Sequence, residues 1–362
     1  MDIAVLSRIT DRFCIEGNVT GIAETGSGHI NDTYLVCTDR KKYILQRINT
    51  DVFRDPDALM SNVVAVTEHI GGRLRYIPVV GEDRHSAEEK YDWPGTAENG
   101  GWYVMADGGC WRMMTYIENS YSCEVTDDPV LLHEIGRAYG AFISALRDFP
   151  ADSLHETIAG FHDTRKRFND LLRAIAEDPA CRKRNAQDEI RFALEHEKDI
   201  DILGNLAESG ALPVRVTHND TKINNVMLDS DTGRAVCVID LDTVMPGLAV
   251  NDFGDAVRSS ALTGREYVDE FSGIGLNPAV YHSLADGFLQ GFPDMTQAER
   301  QMMPVGAKIM TLECGIRFLA DYLEGDRYFK TDYPEHNLNR CRAHFRLVQD
   351  MEDKWEEMQI DR

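Results

Sequence analysis

An α+β architecture of two lobes, the first rich in strands and the second mainly helical, is predicted by three observations. Before residue 118 the apolar residues fall into short strand-like pieces separated by polar turns. From residue 127 they recur at helical spacing, and between residues 214 and 240 one hairpin pattern interrupts the helices. The expected lobes are 1–118 and 119–362.

In the first lobe, Tyr34 to Cys37 and Tyr43 to Leu45 flank the polar turn Thr38 to Lys42, the pattern of a hairpin. Pro56 to Ile70 reads as a helix: Leu59, Val63, Val66 and Ile70 form its apolar stripe, Asp55 stands as N-cap, and Gly71-Gly72 stops it. Residues 83–101 are polar and read as loop. Trp111 to Glu118 returns as a strand, and its end is the expected hinge. In the second lobe, Val130, Leu131, Ile135, Ala138, Tyr139, Phe142, Ile143 and Leu146 mark a helix that Asp127 or Asp128 starts before Pro129. Residues 164–204 read as a charged helical pair, and 296–324 and 335–357 as two further long helices.

Composition narrows the function. The 362 residues are 43% hydrophobic and 27% charged, enough for a large core, and carry a formal charge of −23. That charge opposes nucleic acid and anionic membrane surfaces and suits a small polyhydroxylated partner. Eight cysteines show no CxxC pair, so neither a zinc ribbon nor a redox motif is expected. The N-terminus lacks signal-peptide character and no run approaches the ~20 apolar residues that span a bilayer, so the cytoplasm is the expected compartment.

The most informative stretch is Thr217-His218-Asn219-Asp220-Thr221-Lys222-Ile223-Asn224-Asn225, with Ile239-Asp240-Leu241-Asp242 beyond it. Phosphoryl transfer needs an acidic group at the attacking hydroxyl and hard oxygen ligands for the ion that screens the phosphates. Asp220 and Asn225 have the five-residue spacing for those two roles, and Asp240 follows the apolar run Ala235 to Ile239. Val214 to Thr217, Val226 to Asp229 and Arg234 to Ile239 read as strands, with a turn at Ser230 to Gly233. A plainer reading has Asp220 and Asn224 merely capping turns, which the second carboxylate at the strand end disfavours.

These segments resemble the aminoglycoside-phosphotransferase-like small-molecule kinases, which have a two-lobed protein-kinase-like fold. Within them the likeness is to kinases that phosphorylate N-acetylhexosamines at C1. The likeness also rests on Gly26 to Asn31, Tyr43 to Asn49, Phe161-His162-Asp163-Thr164, and Glu313 to Asp326. It implies ATP and Mg²⁺ as cofactors and a small sugar as partner. Asp220 would be the catalytic base, with Asn225 and Asp240 on the metal. Asp242 would be a second metal contact or a partner just outside. Gly26, Ser27 and Gly28 would cover the nucleotide, with Gln46, Arg47 and the hinge residues Tyr116 and Ile117 also on the cofactor. His29, Asn31, Arg258, Arg317 and Tyr328 are the candidates for the substrate.

Three points stand apart from the general pattern. The strand Lys that usually holds phosphates falls near Gln46 or Arg47, and Asn62 stands where its helix Glu belongs, so a Gln46–Asn62 amide pair is expected, with Glu68 as the other partner. Asp252-Phe253-Gly254 spells a kinase metal motif but follows Asp240, so Asp252 and Asp255 are expected to cap a helix and brace the catalytic loop. His218 is expected to bond to backbone, and Arg317 to meet either the substrate or Glu313 and Asp321. Related kinases of choline, homoserine or an aminoglycoside, and an idle nucleotide-binding module, are the competing functions.

Overall fold

The computed structural model describes residues 1–26, 30–71, 102–262 and 273–360. Its chain divides into two compact units, Met1–Ser120 and Tyr121–Arg362. Ser27, Gly28 and His29 lie outside the described residues, as does the expected loop over 83–101.

In the first unit Asp2 caps α1 (Ile3–Thr10) by accepting the Ala4 N–H. Strands β1 (Val19–Glu24), β2 (Asp32–Thr38) and β3 (Lys42–Ile48) form an antiparallel meander. Helix α2 (Pro56–Ile70) starts where Asp55 accepts the Ala58 N–H and Pro56 presets the first turn. Strands β4 (Val104–Ala106) and β5 (Gly109–Thr115) complete a sheet of order β1-β2-β3-β5-β4. Alternation along β2 and β3 buries Tyr34, Val36, Tyr43 and Leu45 against Leu6, Ile9, Phe13, Trp111 and Met113.

The second unit is mainly helical, and β6 (Ser120–Ser122) marks its entry. Asp128 caps α3 (Pro129–Ala145), and α4 (Thr164–Glu177), α5 (Gln187–Glu195) and α6 (Ile202–Glu208) follow. The expected helical pair over 164–204 is therefore three helices: Asp178 ends α4 in the left-handed conformation, and short turns separate the rest. Strand β7 (Arg215–Thr217) precedes the hairpin β8 (Val226–Asp229) and β9 (Ala235–Val238). β7 pairs instead with β10 (Met245–Gly247), a strand that Pro246 hides from sequence reading. Helices α7 (Ala249–Leu262), α8 (Pro278–Gly291), α9 (Gln297–Glu324) and α10 (His336–Asp353) complete the order. The start of α9 is a full capping box, Thr296 with Glu299, and Gly325 ends it in the left-handed conformation.

Helix packing explains the Asp252-Phe253-Gly254 tripeptide. It lies inside α7, so Asp252 and Asp255 do not cap the helix, contrary to expectation. Phe253 is fully buried, edge-on to Tyr281 and Phe288. A Cβ on Gly254 would stand 2.3 Å from the Gly306 carbonyl, so α7 and α9 cross in backbone contact. The same holds between α3 and α8, where Cβ atoms on Gly136, Gly140 and Gly291 would each meet a carbonyl of the facing helix at 2.2 Å.

Candidate active site

Residues 217–225 leave β7 and reach β8 through a loop whose backbone groups are held by side chains from distant elements. The Asp252 carboxylate accepts the N–H groups of His218 and Asn219, each at 2.8 Å. Thr243 Oγ1 donates to the His218 carbonyl at 2.7 Å, and the Ile223 N–H donates to Ser259 Oγ at 3.2 Å. The Tyr139 hydroxyl of α3 donates to the Lys222 carbonyl. Asn219 and Asp240 are both left-handed, at φ 63° and 62°, a conformation that Asn and Asp tolerate best among residues with a side chain. The Asn219 side chain is locked by Thr217 Oγ1 and the Thr243 carbonyl.

Burial pushes the Asp252 carboxyl up to about 6, against the opposing influence of His218 and the two backbone donors. Asp220 goes the other way. Burial favours its neutral form, but the charge and hydrogen bond of Lys222, with His218 and Arg258, outweigh it and hold the carboxyl below its ordinary value. Lys222 Nζ lies 2.9 Å from Asp220 Oδ1 and 3.0 Å from Oδ2. The Asn225 amide nitrogen donates to the Asp220 carbonyl at 2.9 Å and toward Oδ2 at 3.3 Å. With its nitrogen so engaged, Asn225 has its amide oxygen as the atom suited to a hard cation. Asp240 stands two residues beyond β9, where its left-handed backbone turns the chain into the Leu241–Thr243 turn. That turn carries Asp242, buried, so the strand does not persist to it.

His218 takes a structural place: Nε2 donates to the Ile239 carbonyl at 2.9 Å, and Nδ1 accepts the Asp220 N–H at 3.3 Å. Its ring lies edge-on to Tyr139 and Phe142. The Asn225 carbonyl accepts the Ile239 N–H at 2.9 Å, which ties the 217–225 loop to the residues that lead from β9 to Asp240.

The candidate substrate residues separate into two groups. Arg317 of α9 sits within cation–π distance of three rings, 5.3 Å from Phe161, 5.8 Å from Tyr328 and 5.6 Å from Phe329. Neither expected helical neighbour forms an ion pair with it. Glu313 bonds to His162 and Thr164, and Asp321 accepts the backbone N–H groups of Arg327, Tyr328 and Phe329. Tyr328 is 54% exposed. Arg258 is buried instead, with its guanidinium against Asp255 at 2.8 Å and near His344.

In the first unit Gly26 adopts φ +82°, beside the Thr25 N–H to Thr33 carbonyl bond that closes the β1–β2 turn. Asn31 is buried, and its Oδ1 accepts the Asn49 N–H at 2.9 Å, so it ties the start of β2 to the end of β3. Gln46 does not follow expectation. Cross-strand register aligns Thr33, Gln46 and Arg112 on β2, β3 and β5, and Gln46 Oε1 accepts from Arg112 Nε at 2.9 Å while Nε2 donates to Thr33 at 3.1 Å. The acceptor oxygen expected to meet Asn62 thus meets a buried guanidinium. Arg47, one residue on and on the opposite face, reaches the Gly108 carbonyl at 3.3 Å and Asp32 at 3.8 Å. Lys42 lies over the Tyr116 ring, and the Ile117 carbonyl accepts the Ser120 hydroxyl.

Sequence reasoning gave no role to Lys222, Arg112 or His162, and gave Glu313 only that of an alternative partner for Arg317. Lys222 carried a signal, being two residues from Asp220 in the same loop. The others act across 66 residues for Arg112–Gln46 and 151 for His162–Glu313. No local spacing announces such a pair.

A strand-rich unit, a helical unit and a hairpin that sets an acidic group beside an amide and an ammonium define a phosphotransferase with a protein-kinase-like fold. Residues 21–286 match the model of the phosphotransferase enzyme family abbreviated APH, and the chain belongs to that family. Solved structures agree on the fold. A microcompartment-associated aminopropanol kinase is similar at TM-score 0.62 and 15% identity, covering 99% of each chain. An aminoglycoside phosphotransferase from Alicyclobacillus acidocaldarius is similar at 0.60 and 11%, covering 98% of this chain and 96% of its own. Choline kinase from Cryptosporidium parvum is similar at 0.60 and 12%, covering 98% and 97%. Among the described residues no helix is long and apolar enough to cross a membrane.

Proposed function

We propose that this phosphotransferase uses ATP and Mg²⁺ to phosphorylate the anomeric C1 hydroxyl of an N-acetylhexosamine in the cytoplasm. One observation carries the substrate class. The two segments that bear the sugar-kinase resemblance, 161–164 and 313–326, meet one another: Phe161 faces Arg317, and His162 and Thr164 both bond to Glu313. They meet beside the catalytic loop, because His162 also bonds to the Asn219 carbonyl at 2.8 Å.

The chemistry follows from the chain's own groups. Asp220 is ionised at neutral pH, so it can orient the sugar hydroxyl and accept its proton late, as a loose phosphoryl transition state requires. Lys222 supplies a positive charge next to it, suited to the transferred phosphoryl group. Asn225 and Asp240, with Asp242 close by in sequence, offer the hard oxygens for Mg²⁺, which would screen the nucleotide phosphates against a chain of charge −23. Gly26, with Ser27 and Gly28, would cover the nucleotide. Arg112, oriented by Gln46, takes the part of the absent strand lysine. Arg317 and Tyr328 would bind the sugar by fork-like hydrogen bonds and ring stacking. A cationic acceptor such as choline would meet the positive charge of Arg317, which favours the neutral sugar over the amine substrates.

Purified protein given ATP, Mg²⁺ and, separately, GlcNAc, GalNAc, glucose, galactose, choline, homoserine or kanamycin tests the proposal by ADP release, with NMR to locate the phosphate. The expected product is the N-acetylhexosamine 1-phosphate. Turnover of a non-sugar alone would overturn the substrate, and no turnover at all would favour the idle module.

A further inference from the structure

The geometry of the His162 ring's partners favours its charged form. Nδ1 lies 2.9 Å from Glu313 Oε1 and Nε2 lies 2.8 Å from the Asn219 carbonyl oxygen. A backbone carbonyl only accepts, and so does an ionised carboxylate, so each ring nitrogen must carry its own proton. Thr164 Oγ1 donates to the other Glu313 oxygen at 2.6 Å, which further favours the carboxylate.

The Asn219 carbonyl belongs to the peptide plane that leads into Asp220. The other end of that plane, the Asp220 N–H, is held by His218 Nδ1 at 3.3 Å. Two histidines therefore clamp one peptide plane, and its orientation sets the direction in which Asp220 leaves the backbone. On its far side His162 lies tilted against Phe161, ring centroids 4.6 Å and planes 50° apart, and Phe161 is one wall of the Arg317 cage. Arg167 fixes Phe161 by donating to its carbonyl at 3.0 Å and 3.3 Å.

We propose that His162 is a buried imidazolium that positions the peptide ahead of Asp220 and couples it, through Phe161, to the Arg317 cage. The coupling half of this rests on the assignment of Arg317 to the acceptor sugar; the positioning half does not.

The groups facing His162 support the charged form. These are the carboxylates Glu313 from α9 and Asp252 and Asp255 from α7, while the cations Arg317 of α9 and Arg167 of α4 act on Glu313 and oppose a charged ring. Burial works to lower the imidazole's pKa, but the hydrogen bond and charge of Glu313, the Asn219 carbonyl and the charge of Asp255 outweigh it, and the net direction is upward from 6.5. Burial likewise opposes ionisation of Glu313, and the bond to His162 overrides it. The sign follows. A raised His162 pKa keeps the clamp at pH values below it and loses the clamp as pH rises through it. On losing one proton the ring keeps the other toward the Glu313 charge and releases the Asn219 carbonyl.

Two measurements test this. In ligand-free protein with ¹⁵N-labelled histidine, His162 is assigned by loss of its signals in His162→Gln. Its ring should carry protons on both nitrogens at pH 7.5 and titrate at lower pH in Glu313→Gln. A neutral ring at pH 7.5 would overturn the proposal whether or not any sugar is a substrate. With GlcNAc, ATP and Mg²⁺, His162→Gln should lower kcat roughly ten- to hundredfold, the scale of a small misplacement of a reacting group. Its alkaline limb should vanish while KM for ATP changes less than about threefold. Glu313→Gln should move that limb to lower pH, a shift that a merely structural role would not produce. Equal kcat in folded His162→Gln, or an unmoved limb in Glu313→Gln, would refute positioning.

Discussion

The catalytic hairpin of the second unit and the Thr33-Gln46-Arg112 row of the first solve the same problem, holding polar groups in a protein interior, by different means. Around the hairpin, charge meets charge in Lys222 with Asp220 and His162 with Glu313, and the Asp252 carboxyl from α7 accepts two backbone N–H groups. In the row, a buried guanidinium is bonded by the neutral oxygen of Gln46, and its alignment follows from strand register. Charge pairs shift pKa values and so fix which group gives or takes a proton; a neutral amide orients a cation without altering its charge. On the proposed function the hairpin serves proton and phosphoryl chemistry, and the row holds an anion.

That contrast can be broken experimentally, and the largest effect should come from its centre. Asp220→Asn should lower kcat by about three orders of magnitude, at the upper part of the range for a positioned acid or base, with nucleotide affinity intact by calorimetry. Near-normal turnover would remove Asp220 from the mechanism. Asp252→Asn keeps one acceptor but turns an amide N–H₂ toward a backbone donor. Urea unfolding should show a loss of about 1–3 kcal/mol, the cost of a buried donor left unmet. Unchanged stability would mean that the loop holds itself.

Arg112→Gln sharpens the other side of the contrast. Steady-state kinetics should show KM for ATP raised about tenfold, about 1.4 kcal/mol of lost binding, with KM for the sugar unmoved. An effect on the sugar instead would move Arg112 out of the nucleotide's reach. The smallest effect belongs to Tyr139→Phe, which removes only the hydroxyl bonded to the Lys222 carbonyl. About 1 kcal/mol of stability should be lost in the same urea titration. A loss several times larger would show that α3 orders the whole loop.

Sequence and structure agree where the signals are local. Asp55-Pro56, Asp128-Pro129 and Thr296 with Glu299 each begin a helix because cap and first turn lie within a few residues. Asp220, Asn225 and Asp240 stand in one hairpin for the same reason. What escaped reading depends on distant partners. Asp252 looked like a cap because its position inside α7 rests on packing against α9. Local spacing points Gln46 to Asn62, whereas register across two strands gives it Arg112. β10 was unreadable because Pro246 argues against a strand, and only its pairing with β7 makes it one.

The glycines where α3 meets α8 carry one more consequence, for how this sequence can drift. A side chain in an ordinary core can be exchanged for one of similar volume with local repacking. At Gly136, Gly140 and Gly291 a single added methyl would strike a carbonyl of the opposite helix, and the only relief is to move that helix as a body. Tyr139 stands on α3 between two of those contacts and holds the Lys222 carbonyl. Substitution there would reach the catalytic loop without touching any residue of it, so these positions are closed to gradual change while the exposed faces of the same helices stay open.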